Sequence, residues 1–97
     1  MIIVTGSVKA QPATLAQLRE LCLEHVHRSR TEPGCLLHSV HHDVEDPLTM
    51  LFLEHWVDRD ALDAHFRVPA SSEFVTALSA LAAEPPTMQI YEAELVR

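Results

Sequence analysis

The chain has 97 residues, of which 47% are hydrophobic and 22% charged, with a formal net charge of -7. This length predicts one domain over residues 1–97, whose single core is modest enough that a partner surface would help to bury apolar side chains. The acidic balance and the scattered Lys and Arg residues argue against a nucleic-acid partner. No apolar run reaches the roughly 20 residues that cross a bilayer, and the start lacks a secretion-signal pattern, so a cytoplasmic protein without membrane contact is predicted.

The first half of the chain predicts a strand, a helix and a second strand. Residues 2–8 are short and β-branched. Residues 15–29 carry apolar side chains at spacings of three and four, which predicts a helix with one packed face. Pro33 and Gly34 end that helix, and residues 35–42 follow as a strand. The packed face of the helix consists of Leu15, Leu18, Leu21, Cys22, His25, Val26 and Ser29.

The second half predicts a hairpin strand, two helices and a final strand. Residues 43–47 have the acids and proline of a turn, so residues 50–56 would pair back on the second strand. Asp58 can cap a helix that runs to about Phe66. Ser71 or Ser72 can cap a second helix, and residues 88–96 read as the last strand.

This order is the split βαβ arrangement of an α+β, ferredoxin-like sandwich: an antiparallel four-stranded sheet with helices on one face. Apolar side chains occur on both parities of the strands, so an uncovered sheet face would expose a large apolar patch. The sequence therefore predicts a homodimer in which two sheets face each other as a dimeric α+β barrel.

Four segments together resemble the antibiotic-biosynthesis-type monooxygenase (ABM) domain, including its quinol monooxygenase-like members. They are Ser29–Leu36, Phe52–Asp58, Ala61–His65 and Pro85–Pro86 before the last strand. The resemblance implies a dimeric α+β barrel that uses no metal, haem, flavin or other cofactor. It also implies a monooxygenase that oxidises a quinol or polycyclic phenolic substrate with O2.

One departure from the family pattern bears on substrate class, and one comparison bears on haem binding. After the position of His65 the family usually continues x-x-x-Pro-His-Phe, whereas here Pro69 is followed by Ala70 and Ser71. Haem-degrading relatives would have an asparagine in the first strand, a tryptophan in place of His65 and a histidine in place of Val75. None of these is present, so a haem-binding oxygenase is the weakest alternative.

The chemistry requires one base inside an apolar cavity. An electron-rich phenolate or enolate can pass one electron to O2 and then recombine with it, so the protein need only form and hold that anion. His65 is the predicted catalytic base, because it follows Leu62 on the inward side of a helix close to Trp56 and imidazole titrates near neutral pH. A packed or solvated helix histidine is the structural alternative.

The remaining site residues are predicted as substrate-binding. Trp56 would wall the cavity, Glu54 would orient a polar group or pair with Arg30, and Tyr91 could donate to an oxyanion. An ordinary core or a structural ion pair explains the same positions. The lining would be completed by Phe52, Phe66, Phe74 and Leu78.

Seven histidines raise the question of a metal site. His25 and His27 point to different sides of a helix, and His41 and His42 are adjacent on a strand, so neither pair predicts a metal. Cys22 and Cys35 read as reduced core thiols. A non-catalytic, small-ligand-binding or stress-response dimer of the same fold stays open as the alternative to the oxygenase.

Overall fold

The structure, a computed structural model, describes residues 1–97 and confirms the α+β, ferredoxin-like fold. The four strands form one antiparallel sheet in the order β2-β3-β1-β4. No helix has both the length and the apolar character needed to cross a membrane. The elements are β1 (Ile2–Lys9), α1 (Leu15–Ser29), β2 (Cys35–His42), β3 (Thr49–Trp56), α2 (Arg59–Arg67), α3 (Pro69–Leu81) and β4 (Thr87–Glu92).

Strand β3 shows why the sheet has one buried face. Met50, Phe52, Glu54 and Trp56 are buried, while the side chains between them are exposed or half-buried. This is the period of two that an extended strand imposes. The β2–β3 pairing sets His38 opposite Glu54, which places a histidine and an acid side by side on the buried face.

The apolar core is divided into two clusters. The larger one packs α1 and α3 against β1 and β3 and includes Leu18, Cys22 and Phe52, and the smaller one surrounds Trp56 and Leu62. Along β3, Glu54 lies between Phe52 and Trp56 and therefore between the two clusters. The buried polar side chains of the fold gather in this region.

The connections before β2 and α2 agree with the sequence prediction. Asp58 caps α2, its carboxylate accepting a hydrogen bond from the Ala61 N–H at 2.9 Å. Gly34 adopts a φ of 80° between α1 and β2, a conformation that glycine tolerates best.

Two predicted boundaries are wrong. Helix α3 begins at Pro69 with Val68 as its N-cap, so neither Ser71 nor Ser72 caps it; proline at the first helical position needs no N–H partner. Strand β4 ends at Glu92 and does not reach Val96. Its neighbour β1 starts at Ile2, which pairs with Glu92, so no strand is left for the residues beyond.

Candidate active site

Three buried histidines from three elements converge on one region, and we call them the histidine cluster. They are His25 of α1, His38 of β2 and His65 of α2, and each is at most 5% exposed. The centroids of the rings are 5.3 Å apart for His25–His38 and His25–His65 and 5.7 Å apart for His38–His65. Sequence spacing within one element could not reveal this set.

His65 is oriented by an acid. Its Nδ1 lies 2.8 Å from Oε1 of Glu32, which is in the turn after α1. A carboxylate can only accept, so Nδ1 carries the proton and Nε2 keeps a free lone pair when the ring is neutral. The Glu32–His65 pair thus presents a base with a defined tautomer.

His25 is oriented by a positively charged side chain, Arg28. Nη2 of Arg28 donates to its Nδ1 at 2.7 Å, and a guanidinium cannot accept, so the proton of the neutral ring is on Nε2. The ring also stacks on Phe74 with centroids 3.8 Å apart. Burial lowers the pKa of His25 to about 3, with further lowering from His38, His65 and Arg28. His25 is therefore a neutral N–H donor.

Glu54 accepts a hydrogen bond from the Trp56 Nε1–H at 2.9 Å. Nε2 of His38 approaches the same carboxylate oxygen at 3.3 Å, but without hydrogen-bond alignment. Burial raises the pKa of Glu54, but its contacts with His38 and Trp56 outweigh burial and lower that pKa overall. The acid does not pair with Arg30, whose Nε donates to the backbone carbonyl of His38.

A cavity of about 580 Å³ opens beside the cluster. His25, Glu54 and His65 contribute to its wall, and the remaining wall is largely aromatic, aliphatic and hydroxyl-bearing. A larger groove of about 760 Å³ lies between α1 and α3, but no member of the cluster reaches it. The smaller cavity is therefore the candidate active site.

The structure brings most of the sequence-predicted residues to this cavity. His65, Glu54, Phe52, Phe66, Phe74 and Leu78 all line it. Trp56 does not line it: the indole is completely buried, 4.7 Å from the His65 ring between centroids. Tyr91 pairs with Ile3 on the helix-free face of the sheet, where its hydroxyl donates to Gln89. The chain therefore keeps Tyr91 away from His65.

Sequence reasoning did not single out Glu32, Arg28, His25 or His38 as site residues. The hairpin between β2 and β3 carried the signal for His38, because a turn centred on residue 46 sets it opposite Glu54. His25 lay in the apolar stripe of α1, where a polar side chain needs a buried partner. The contact of Glu32 with His65 joins elements distant in sequence and had no local signal. Arg28 lies three positions after His25 on α1, so their contact had a local signal that the sequence analysis did not use.

The fold and the cavity define a small α+β protein with an acid-supported histidine beside an apolar pocket. The sequence profile described as antibiotic biosynthesis monooxygenase, ABM, matches residues 1–77. The chain belongs to this family.

Solved structures agree with this assignment. A proposed antibiotic biosynthesis monooxygenase from Deinococcus radiodurans is 31% identical with a TM-score of 0.95, covering 100% of this chain and 96% of that one. A second structure, of an antibiotic biosynthesis monooxygenase, is 28% identical with a TM-score of 0.89, covering 98% of this chain and 100% of that one.

A relative from Synechocystis sp. is described as uncharacterized. It is 36% identical over 91 residues, which is 94% of this chain. The chain spans 62% of the length of that relative.

Proposed function

We propose that the protein is a monooxygenase that oxidises a quinol or polycyclic phenol with O2 and needs no metal or organic cofactor. Membership of the ABM family and the names of the similar structures support monooxygenase chemistry in general. The observation that carries the finer proposal is the Glu32–His65 pair, 2.8 Å apart, on the wall of an otherwise largely apolar cavity.

The cavity suits a flat aromatic substrate. Its volume of about 580 Å³ falls within the range of small-molecule sites. Phe66, which is 41% exposed, offers a ring face for stacking, and Ser72 and Thr76 on α3 also reach the wall. An aromatic phenol can thus stack on this ring while its hydroxyl is directed to the polar end of the cavity.

The proposed reaction starts with proton removal. Nε2 of His65 takes the phenolic proton, and the imidazolium that forms is stabilised by the Glu32 carboxylate on Nδ1. The phenolate passes one electron to O2, and the two radicals recombine as a hydroperoxide. Loss of water then leaves one oxygen atom on the substrate and the other in H2O, so a quinol and O2 give a hydroxyquinone and water.

His25 supplies the second group that this chemistry needs. Its Nε2–H, held by the bond from Arg28 to Nδ1, is a donor on the cavity wall beside the base. A neutral imidazole donor stabilises the negative charge that develops on oxygen without first releasing a proton. The base and the donor are thus two histidines whose tautomers are set by neighbours of opposite charge.

Oxygen consumption over a panel of hydroquinones and anthrones tests the proposal. His65→Asn keeps a donor for Glu32 but removes the base, so turnover is expected to fall roughly 100-fold. Glu32→Gln can still accept from Nδ1–H but lacks the charge, so a smaller fall of roughly tenfold is expected. His27→Asn, on the exposed side of α1, is the matched control and should keep full activity.

A substrate that is consumed equally fast by the wild-type protein and His65→Asn would contradict the role of His65. Saturable binding of these aromatics without oxygen consumption would instead favour a non-catalytic binding protein.

We also propose that the protein is a homodimer. The helix-free sheet face carries Leu51 at 41% and Tyr91 at 48% exposure, together with Ile3 and Leu53. Beyond β4, Leu95 and Val96 are 79% and 95% exposed. A second copy of the chain would bury both the sheet face and this apolar tail.

A further inference from the structure

His38 has no part in the proposed reaction, yet the protein buries it completely. Its side chain is 0% exposed, Nδ1 has no hydrogen-bond partner, and Nε2 has only a misaligned approach to Oε1 of Glu54 at 3.3 Å. A buried imidazole must carry a proton on at least one nitrogen, and burying that N–H unpaired is unfavourable. The ring lies beside His25, His65 and the carboxylate of Glu54, which suggests a ligand that the three histidines could share.

The histidine cluster is close to metal-binding geometry. One ring nitrogen from each of the three residues lies within 4.8 Å of the others. A point central to three atoms this far apart is at most about 2.8 Å from each, and Zn–N bonds are about 2.1 Å long. A contraction of about 0.7 Å per ring, within reach of small side-chain rotations, would therefore complete the coordination.

We propose that His25, His38 and His65 form a binding site for a divalent first-row transition ion such as Zn(II). Imidazole nitrogens suit these ions, and a carboxylate supplies negative charge. The Glu54 carboxylate, with Oε1 3.3 Å from His38 Nε2, adds negative charge beside the site. Glu32 on His65 Nδ1 provides the carboxylate support that metal-bound histidines commonly have.

Arg28 is the residue that opposes metal binding. By donating to His25 Nδ1, it holds the proton on Nε2, the nitrogen that points away from Arg28. Coordination through Nε2 requires that proton to move to Nδ1 and the guanidinium to withdraw. Arg28 is half-buried, and its other contact, to Ser71 at 3.4 Å, is long. The ion and Arg28 therefore compete for the tautomer of His25.

Titration of the metal-free protein with ZnCl2 by calorimetry tests the site. The wild-type chain should bind one ion with a dissociation constant below about 10 µM. His38→Leu should lose this binding, whereas His27→Asn, His41→Asn and His42→Asn, which remove exposed histidines, should keep it. Arg28→Gln, whose amide oxygen can accept from Nδ1–H, should bind roughly tenfold more tightly.

A measurement on the unmodified protein covers the case in which His38→Leu fails to fold. Trp56 is the only tryptophan, and its ring lies within 6.2 Å of His38 and 4.7 Å of His65 between centroids. One equivalent of Cu(II) should quench most of its fluorescence, and removal of the copper with EDTA should restore it. Unchanged fluorescence at one bound equivalent, or no binding at all, would overturn the proposal.

The proposed metal site and the proposed oxygenase activity can be contradicted independently; the metal proposal rests on the histidine cluster alone. An ion on His65 would occupy the lone pair that serves as the base, so the Zn(II)-loaded protein should consume no oxygen. If Zn(II) binds as described while turnover continues, the metal site stands and the catalytic role of His65 is wrong.

Discussion

At the level of single residues, neighbouring charges decide what each buried imidazole can do. The guanidinium of Arg28 makes His25 a donor at Nε2, and the carboxylate of Glu32 makes His65 an acceptor at Nε2. Two side chains of the same type thereby gain opposite properties on one cavity wall. His38 approaches only the Glu54 carboxylate, at 3.3 Å and without hydrogen-bond alignment.

The two cysteines are a second case in which environment sets chemistry. Burial raises the pKa of the Cys22 thiol to about 12. The pKa of Cys35 is raised mainly by burial and further by the negative charges of Glu32 and Glu54. Only the thiolate reacts readily, so at about pH 8 Cys22 should resist thiol-specific reagents in the folded protein. We expect at most one thiol per chain to react, slowly, before unfolding and two afterwards.

Labelling with an aromatic disulfide reagent, followed by its absorbance, measures this. Cys35→Ser should show no reactive thiol when folded and one in concentrated urea. Rapid reaction of both thiols in the folded wild-type protein would show that Cys22 is less protected than its complete burial indicates.

At the level of elements, the turn between α1 and β2 connects the site to the fold. The turn contains Glu32, whose carboxylate reaches His65 on α2. It also contains Gly34, over which Ala61 and Val57 pack so closely that an added Cβ would lie 2.6 Å and 2.8 Å from them. The absence of a side chain at Gly34 is thus what lets α2 approach the turn.

Gly34→Ala is expected to destabilise the protein by at least about 2 kcal/mol, because it combines a positive φ with two close contacts. Chemical denaturation followed by Trp56 fluorescence measures the change. Gly6→Ala is the matched comparison: its φ is not positive, and its Cβ would lie 3.1 Å from the Thr87 carbonyl oxygen and 3.8 Å from the Phe52 Cβ. That variant should cost less than about 1 kcal/mol, and equal losses in the two would contradict the packing argument at Gly34.

At the level of the whole molecule, the sheet has one covered and one open face. The helices bury Phe52, Glu54 and Trp56, while Leu51 and Tyr91 on the opposite parity stay exposed. A single chain with 19 buried residues of 97 has little further surface to cover them. Association of two open faces is the arrangement that would bury them.

Light scattering after size exclusion should therefore give about twice the chain mass of 10.9 kDa. Leu51→Glu should shift the protein towards the monomer, because it would bury a charge in the proposed interface. Val44→Glu, in the turn between β2 and β3 and 95% exposed, should leave the dimer intact. A wild-type monomer at micromolar concentration would exclude the dimeric barrel.

The sequence by itself determined the element order and the residues on each face. Its information was local: the period of two in β3, the stripe of α1, the Asp58 cap and the turn at Gly34 all depend on neighbours a few positions away. These patterns sufficed for the ferredoxin-like fold, and together with the family resemblance they put His65, Glu54, Phe52 and Phe74 on the cavity wall.

Tertiary structure alone decided which polar groups from different elements meet. His25, His38 and His65 come from α1, β2 and α2, and Glu32 reaches His65 across 33 positions. No spacing rule within one element can register such contacts, so the histidine pairs weighed from the sequence were not the set that converges. Trp56 and Tyr91 failed to reach the cavity for a related reason. The parity of a strand assigns a face, but depth beneath that face and position along the sheet depend on packing between elements.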